Sequence, residues 1–219
     1  MNTLLLRLSG AMQSWGVHSR FGVRDTGLEP SKSGVLGLVC ASLGIDREDD
    51  ARLALLAVLT MGVRVDREGA LKVDYHTAKD VLKASGGIKD TDLSNRYYLA
   101  DALFLVGLAS DDLKLLESIH SALRNPVWPI FLGRKAFIPG EPVWLQDGLK
   151  FGLDLETALN TYPILSDRQA SERQRLVLED QLQGVVVRAD QPLSFAHGMR
   201  RFAPRRLTIT FTQPKPEVS

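Results

Sequence analysis

The order of strand-like and helix-like segments over the first 145 residues limits the fold more than any other feature of the sequence. Apolar residues fill Thr3–Leu8, as in a buried strand, and apolar residues at helical spacing follow over Ser31–Leu43 and Ala51–Leu59. Next come a β-hairpin pairing 63–65 with 71–75, an apolar strand over Tyr97–Leu108, a helix capped by Ser110, and a strand broken at Gly133. This order predicts an α+β domain of the ferredoxin-like plan.

The domain organisation follows from the same segments. Residues 1–145 are expected to form the ferredoxin-like domain, and the less regular residues 146–219 a smaller β-rich elaboration or subdomain. Short strands are predicted in this second part at Gly184–Arg188 and Leu207–Thr212. Residues 77–96 are polar and contain glycine, which predicts a protruding arm without a core of its own.

The composition excludes several classes of protein. A single cysteine, Cys40, excludes an internal disulfide and a cysteine metal cluster, and it favours a reducing cytoplasm. No apolar run is long enough for a signal peptide or a membrane span. The four histidines share no ligand spacing, and the HExxH, CxxC and GxSxG motifs are absent. We therefore expect a cytoplasmic protein with no metal, no cofactor and no catalytic residue.

Basic residues are concentrated in three short regions, although the net charge is only +1. The segment 191–216 contains no acidic residue, carries Phe195 and Phe202, and has these cations: Arg200, Arg201, Arg205, Arg206 and Lys215. A basic turn carries Arg134 and Lys135, and the stretch before the first helix carries Arg20, Arg24 and Lys32 beside Trp15 and Phe21. Arginines and aromatic rings suit phosphates and bases, so we predict that the three regions converge on one RNA-binding face.

The start of the first helix is rich in small residues. Ser33 and Gly34 leave backbone N–H groups unobstructed near a helix N-terminus, where phosphate binds readily. Gly34 and Gly37 each cost about 1 kcal/mol against alanine inside a helix. The sequence leaves two explanations open, a tightly packed neighbour or a phosphate that approaches the backbone.

Tyr75 and His76 are further candidate RNA-binding residues, and they also raise the alternative of catalysis. A metal-independent ribonuclease needs a base near a 2′-hydroxyl and a proton donor to the leaving oxygen, and histidine with tyrosine can supply both. A strand-end pair with no chemical role is the simpler interpretation, since the sequence shows no further partner.

Four motifs resemble a known family. The segments RLSGAMQSWG, PSKSGVLGLVCASLGI, DYHT and FLGRKAFIP stand, in that order, as in the CasD family of subunits of Cascade, the type I-E CRISPR surveillance complex. The resemblance runs from about residue 3 to 145. It implies a repeat-associated, RRM-like RNA-binding fold that holds the 5′ handle of CRISPR RNA, with the arm at 77–96 forming a thumb toward the backbone subunit.

The resemblance also implies partners and a lack of catalysis. The expected partners are the 5′ handle of CRISPR RNA, the backbone subunit CasC, the large subunit CasA and, indirectly, target DNA, with no membrane. In type I-E complexes another subunit, CasE, cleaves the precursor RNA. Two alternatives remain beside this RNA-binding subunit, a metal-independent endoribonuclease on repeat RNA and a protein-interaction scaffold without RNA contact.

Overall fold

The computed structural model describes residues 1–16, 22–83, 85–166 and 173–212. In chain order its elements are β1 (Asn2–Ser9), β2 (Met12–Gln13), β3 (Val23–Arg24), α1 (Lys32–Leu43), α2 (Asp50–Ala57), β4 (Thr60–Arg67), β5 (Ala70–Leu82), β6 (Ile88–Ala100), β7 (Leu103–Ser110), α3 (Leu113–Arg124), β8 (Trp144–Lys150), α4 (Leu155–Thr161), β9 (Arg175–Glu179), β10 (Val186–Ser194) and β11 (Arg201–Phe211). None of the helices in these ranges is long and apolar enough to span a membrane.

A large antiparallel sheet organises the α+β fold. Within the described ranges, seven strands pair in the order β10-β11-β9-β4-β7-β1-β8. The part β8-β1-β7-β4 comes from the first 150 residues, and the C-terminal strands extend it beside β4. A second sheet joins β2, β3 and β5 to β6.

Helices cover the large sheet on both faces. Leu4, Leu6 and Leu8 of β1 pack in one core with α1, α2 and α3, whereas Leu5 packs in a second core with α4. Because successive strand residues point to opposite faces, a strand covered on both faces needs an unbroken apolar run. This explains the sequence of β1.

The predicted helix boundaries are confirmed where local capping sets them. The Ser31 hydroxyl accepts the Gly34 N–H at 3.3 Å at the start of α1, and Gly44 ends that helix with φ of 64°. The Asp49 carboxylate accepts the Arg52 N–H at the start of α2. The predicted cap of α3 is wrong, since the Asp112 carboxylate accepts the Leu115 N–H, whereas Ser110 accepts the N–H of Asp112 before the helix begins.

The predicted hairpin between 63–65 and 71–75 is also wrong. β4 pairs with β7 and β9, so both of its edges are occupied inside the large sheet. β5 pairs instead with β6, in one register from Ala70 opposite Ala100 to Leu82 opposite Ile88. Gly69, with φ of 75°, turns the chain out of the large sheet, and a Cβ there would lie 2.7 Å from Ala102 Cβ.

Two further strand predictions need correction. The apolar run Tyr97–Leu108 is divided between β6 and β7, because Asp101 with φ of 57° redirects the chain between the two sheets. The strand predicted on either side of Gly133 is irregular instead, since a strand begins only at Trp144. Prolines at 126, 129, 139 and 142 deprive this stretch of backbone donors.

Candidate nucleic-acid interface

A groove of about 820 Å³ lies beside α1, and we call it the central groove. Its walls come from four chain segments: the loop between β2 and α1, the exposed face of α1 with the turn that follows it, the segment 128–135, and the loop between β10 and β11. Cations and aromatic residues among its lining are Arg24, Arg47, Arg134, Lys135, Arg200, Trp15, Trp128, Phe131, Phe195 and Phe202, with Asp25 and Asp46 as the acidic members. The predicted convergence of Arg24, Arg134 and Arg200 is therefore confirmed as geometry.

The face of α1 toward the groove is made of small residues, and its two glycines have different reasons. A Cβ on Gly34 would lie 2.8 Å from the indole of Trp15, so a tightly packed neighbour requires glycine there. A Cβ on Gly37 would meet only Phe195, at 4.0 Å. Packing within the chain therefore explains Gly34 and leaves Gly37 as open backbone facing the groove.

Arg134 is held at the groove wall by backbone acceptors. Its guanidinium donates to the carbonyl oxygens of Tyr97 at 2.8 Å and Arg24 at 3.2 Å, and it lies over the ring of Phe137. Burial and the nearby guanidinium of Arg96 lower the pKa of Arg134 from its ordinary value. Burial is the larger of these two causes, and Arg96 adds a like charge beside the guanidinium.

The hairpin of β5 and β6 lies next to the groove residue Arg24. β3 pairs with β6 in parallel, which places Arg24 opposite Arg96. We did not select Arg96 from the sequence, because the pairing joins residues 72 positions apart (96 − 24) and leaves no local signal. The hairpin root thereby continues the basic surface of the groove.

Trp15 lies beneath the groove rather than on its surface. The side chain is 1% exposed, its indole N–H donates to Gln13 Oε1 at 3.2 Å, and its ring packs on Gly34. A ring covered in this way has no free face for a base. We therefore assign Trp15 to supporting the groove, and leave it out of the proposed RNA-contacting set.

Lys32 and Arg205 belong to what we call the interior ionic cluster, with Glu179 and Asp190. Lys32 Nζ contacts both carboxylate oxygens of Glu179, at 2.9 and 3.1 Å, and the Lys32 backbone N–H donates to Asp190. Arg205 donates to both oxygens of Asp190, at 2.6 and 2.9 Å. Burial lowers the pKa of Lys32, although Glu179 opposes that shift.

This cluster joins α1 to β9, β10 and β11, and it lies outside the groove. Lys32 is 1% exposed and Arg205 is 2% exposed. Neither cation reaches a phosphate without breaking its ion pairs. We therefore leave both residues out of the proposed RNA-contacting set as well.

The remaining predicted site residues fall into two groups. Ser33 and Lys135 line the central groove. Arg201, Tyr75 and His76 do not line it: Arg201 lies 4.0 Å from a carboxylate oxygen of Asp50, and the other two lie on β5. Arg20 and Phe21 lie outside the described residues.

Tyr75 and His76 are poorly placed for a shared catalytic step. As neighbours on a strand, their side chains point to opposite faces of the hairpin. The imidazole Nδ1 of His76 lies 3.8 Å from a carboxylate oxygen of Asp74. Among the described residues, no three His, Cys, Asp or Glu side chains group in a way that could hold a metal ion.

Sequence reasoning missed Arg47, Trp128 and Phe131 as groove residues. The Trp128 N–H donates to the Ala41 carbonyl at 3.1 Å, which seats this segment against the end of α1. The sequence signal for Trp128 is its position between two prolines, Pro126 and Pro129, in a stretch that the sequence analysis predicts as a strand. In the structure its side chain is exposed.

Comparison with known proteins gives consistent results. The chain matches the family model described as CRISPR-associated protein (Cas_Cas5) over residues 3–208. It is 34% identical over 183 residues to the CRISPR system Cascade subunit CasD of Escherichia coli (strain K12), covering 77% of this chain and 81% of that protein. A crystal structure of a Cas protein matches with a TM-score of 0.79 and 44% identity, covering 97% of this chain and 95% of that one. A chain of a CRISPR RNA-guided surveillance complex matches with a TM-score of 0.77 and 34% identity, covering 96% and 90%.

Proposed function

The chain belongs to the family described as CRISPR-associated protein (Cas_Cas5), and from this premise we propose that it is a Cascade subunit that holds the 5′ handle of CRISPR RNA in the central groove. One observation carries the proposal, namely that cations and aromatic rings from four chain segments surround a single groove. The E. coli relative is a Cascade subunit, and one structural relative comes from an RNA-guided complex.

The chemistry of the groove suits a bent single strand of RNA. Arg24, Arg134 and Arg200 supply charge for phosphates, and single-stranded RNA offers base faces that stack on aromatic rings. Trp128 and Phe202 are 42% and 41% exposed, so each ring has a face available for a base. The proposed RNA-contacting set is Arg24, Ser33, Gly37, Trp128, Arg134, Lys135, Arg200 and Phe202; Gly34 is left out, because its packing against Trp15 accounts for it.

The architecture supports the finer structural part of the proposal. We propose that the ferredoxin-like domain predicted for residues 1–145 extends to Lys150, where β8 ends, since the antiparallel order β8-β1-β7-β4 is what that plan requires. The strands after Lys150 would belong to a β-rich elaboration, and β9 beside β4 is the contact that joins this part to the domain. The β5–β6 hairpin, with Tyr75 at 65% and Leu82 at 81% exposure, would be the thumb that contacts the backbone subunit CasC. The large subunit CasA would be a second neighbour.

We further propose that the protein binds RNA without cleaving it. Cleavage needs a base at the 2′-hydroxyl and an acid at the leaving oxygen of the same phosphodiester. Tyr75 and His76 are on opposite faces of the hairpin, and neither lines the groove. Labelled repeat RNA incubated with the protein in EDTA should therefore stay intact, and cleavage that disappears in His76→Ala would refute this part of the proposal.

RNA binding is tested by replacing groove arginines in the assembled complex. Arg134→Ala and Arg200→Ala should each weaken binding of 5′ handle RNA about threefold to tenfold. Each should also reduce the slope of log affinity against log salt by about 0.7, because one phosphate contact is lost. Retention and crosslinking of the RNA measure both effects.

Arg206→Ala is the matched control, because Arg206 is exposed on the same basic segment and does not line the groove. Equal losses in all three variants would mean that general charge attracts the RNA. Unchanged binding in Arg134→Ala and Arg200→Ala would favour a protein scaffold without RNA contact.

A further inference from the structure

The loop between β10 and β11 places two groove residues. Residues 195–200 connect the strands, with Phe195 at one end and Arg200 at the other, and both line the central groove. Inside the loop, the Met199 N–H donates to the Ala196 carbonyl at 3.1 Å, and Gly198 has φ of 76°. These features fix a turn, but they do not fix where the turn lies relative to α1.

Glu48 provides the polar contact that fixes the position of this loop relative to α1. Its carboxylate Oε1 accepts the backbone N–H of His197 at 3.0 Å, across 149 positions of the sequence. Within the part of the chain that the structure describes, this is the hydrogen bond that links the loop to residues outside β10 and β11. One residue after the loop, Arg201 lies 4.0 Å from Asp50 on the same side.

Glu48 is itself held by the turn between α1 and α2. The Glu48 N–H donates to Asp46 Oδ1 at 3.0 Å, and the Glu48 carbonyl accepts the Asp50 N–H at 3.1 Å. The turn therefore holds the backbone of Glu48, and the side chain is left to contact the loop. A hydrogen-bonded chain therefore runs from the end of α1 to the loop that carries Phe195 and Arg200.

Because Glu48 is negatively charged, an electrostatic role and a positioning role predict opposite changes in RNA affinity when it is replaced. The Glu48 carboxylate contacts the loop that carries Arg200, so direct electrostatics predicts that removing its negative charge strengthens RNA binding. If Glu48 instead positions the loop, its loss should weaken RNA binding, because Phe195 and Arg200 would no longer be held at the groove.

We propose that Glu48 is a positioning residue for RNA binding, holding the β10–β11 loop so that Phe195 and Arg200 stay in the wall of the central groove, with Phe195 beside Gly37. The proposal rests on the proposed function of the central groove. It assigns Glu48 no contact with RNA. The exposed acidic turn before α2 thereby serves the groove through a backbone hydrogen bond.

Two substitutions at one position separate charge from positioning. Glu48→Gln removes the charge but keeps an oxygen that accepts the His197 N–H, whereas Glu48→Ala removes both. Binding of 5′ handle RNA should be equal to the native chain or tighter in Glu48→Gln, and about threefold to tenfold weaker in Glu48→Ala. Equal affinities of the two variants would overturn the proposal.

A double-mutant cycle tests the route of the effect. If Glu48 acts by placing the loop, Glu48→Ala should have little further effect in a chain that already carries Phe195→Ala and Arg200→Ala. A full additive loss in that background would contradict the positioning role.

Hydrogen exchange tests the hydrogen bond between Glu48 and His197 without RNA. The His197 amide of the full chain should exchange slowly in the native protein and in Glu48→Gln, and faster in Glu48→Ala. Unchanged protection in Glu48→Ala would refute the hydrogen bond itself. If the native chain fails to bind the RNA while the exchange pattern is as expected, the proposed function fails and the loop contact stands.

Discussion

The interior ionic cluster and the central groove take their cations from the same chain segments and use them in different ways. Arg205 and Arg200 are five positions apart, yet Arg205 is buried against Asp190, whereas Arg200 is exposed at the groove. Lys32 and Ser33 are adjacent, yet the lysine is paired with Glu179 and the serine faces the groove.

The difference shows that the position of carboxylates decides what a basic segment does. The cluster has two carboxylates for its two cations, and all four side chains are buried or nearly so. The groove has five cations and two acidic side chains along its lining. A surplus of cations next to solvent attracts a polyanion, whereas matched charges in the interior connect elements of the fold.

The largest effect should follow from breaking the interior cluster. Arg205→Ala leaves the fully buried carboxylate of Asp190 without its guanidinium, which we expect to lower the free energy of unfolding by about 3–5 kcal/mol. Arg206→Ala should change it by less than about 0.5 kcal/mol, because Arg206 is exposed. Urea denaturation of both variants measures the contrast, and similar values for the two would contradict the division between interior and surface cations.

A smaller change in stability should follow from replacing the glycines of α1, with opposite signs for Gly34 and Gly37. Gly34→Ala pushes a methyl group into the buried indole of Trp15 and should destabilise the chain by about 1–3 kcal/mol. Gly37→Ala should stabilise the chain by up to about 1 kcal/mol, since its Cβ meets only ordinary contact and alanine favours the helix.

The effect of Gly37→Ala on RNA binding should be opposite in sign to its effect on stability. Gly37→Ala should weaken binding of the handle RNA in a chain whose stability has not fallen. Denaturation and RNA titration of one preparation measure both quantities. A Gly37→Ala variant that is more stable and binds RNA normally would place the ligand away from α1.

The smallest expected effect concerns Cys40, which is 6% exposed and contributes to the groove floor. Burial raises the pKa of the thiol to about 11, so the folded chain holds little thiolate at neutral pH. Alkylation of the folded chain should be slow at neutral pH and should accelerate about tenfold per pH unit until the pH approaches that pKa. Rapid alkylation at neutral pH would show that this wall of the groove is more open than the structure has it.

Handle RNA should slow the alkylation of Cys40 further, because a ligand in the groove covers the same wall. The matched control is a duplex DNA of equal charge, whose paired and stacked bases do not offer free faces to the aromatic rings of the groove. Equal protection by both would indicate that the effect is general shielding of the surface.

Local features of the sequence predicted local structure well. Ser31, Gly44 and Asp49 mark helix ends through hydrogen bonds and a backbone conformation that involve only a few neighbouring residues. The convergence of Arg24, Arg134 and Arg200 was also predicted, from the concentration of basic and aromatic residues in three regions of the sequence.

Predictions that depended on distant partners were less successful. The alternation in β5 was correct as a strand, but its partner is β6 rather than β4, and the alternation carries no information on that choice. Trp15, Lys32 and Arg205 looked like groove residues by type. Their burial depends on Gly34, Glu179 and Asp190, and no local pattern shows these contacts.

The sequence by itself determined the order of the helices, both ends of α1, the start of α2 and the concentration of basic residues in three regions, because each depends on neighbouring residues or on composition. Only the tertiary structure decided which cations are neutralised in the interior and which remain at the groove. The physical reason is that the energy of a charge depends on its distance from opposite charges and from water, and folding sets both distances.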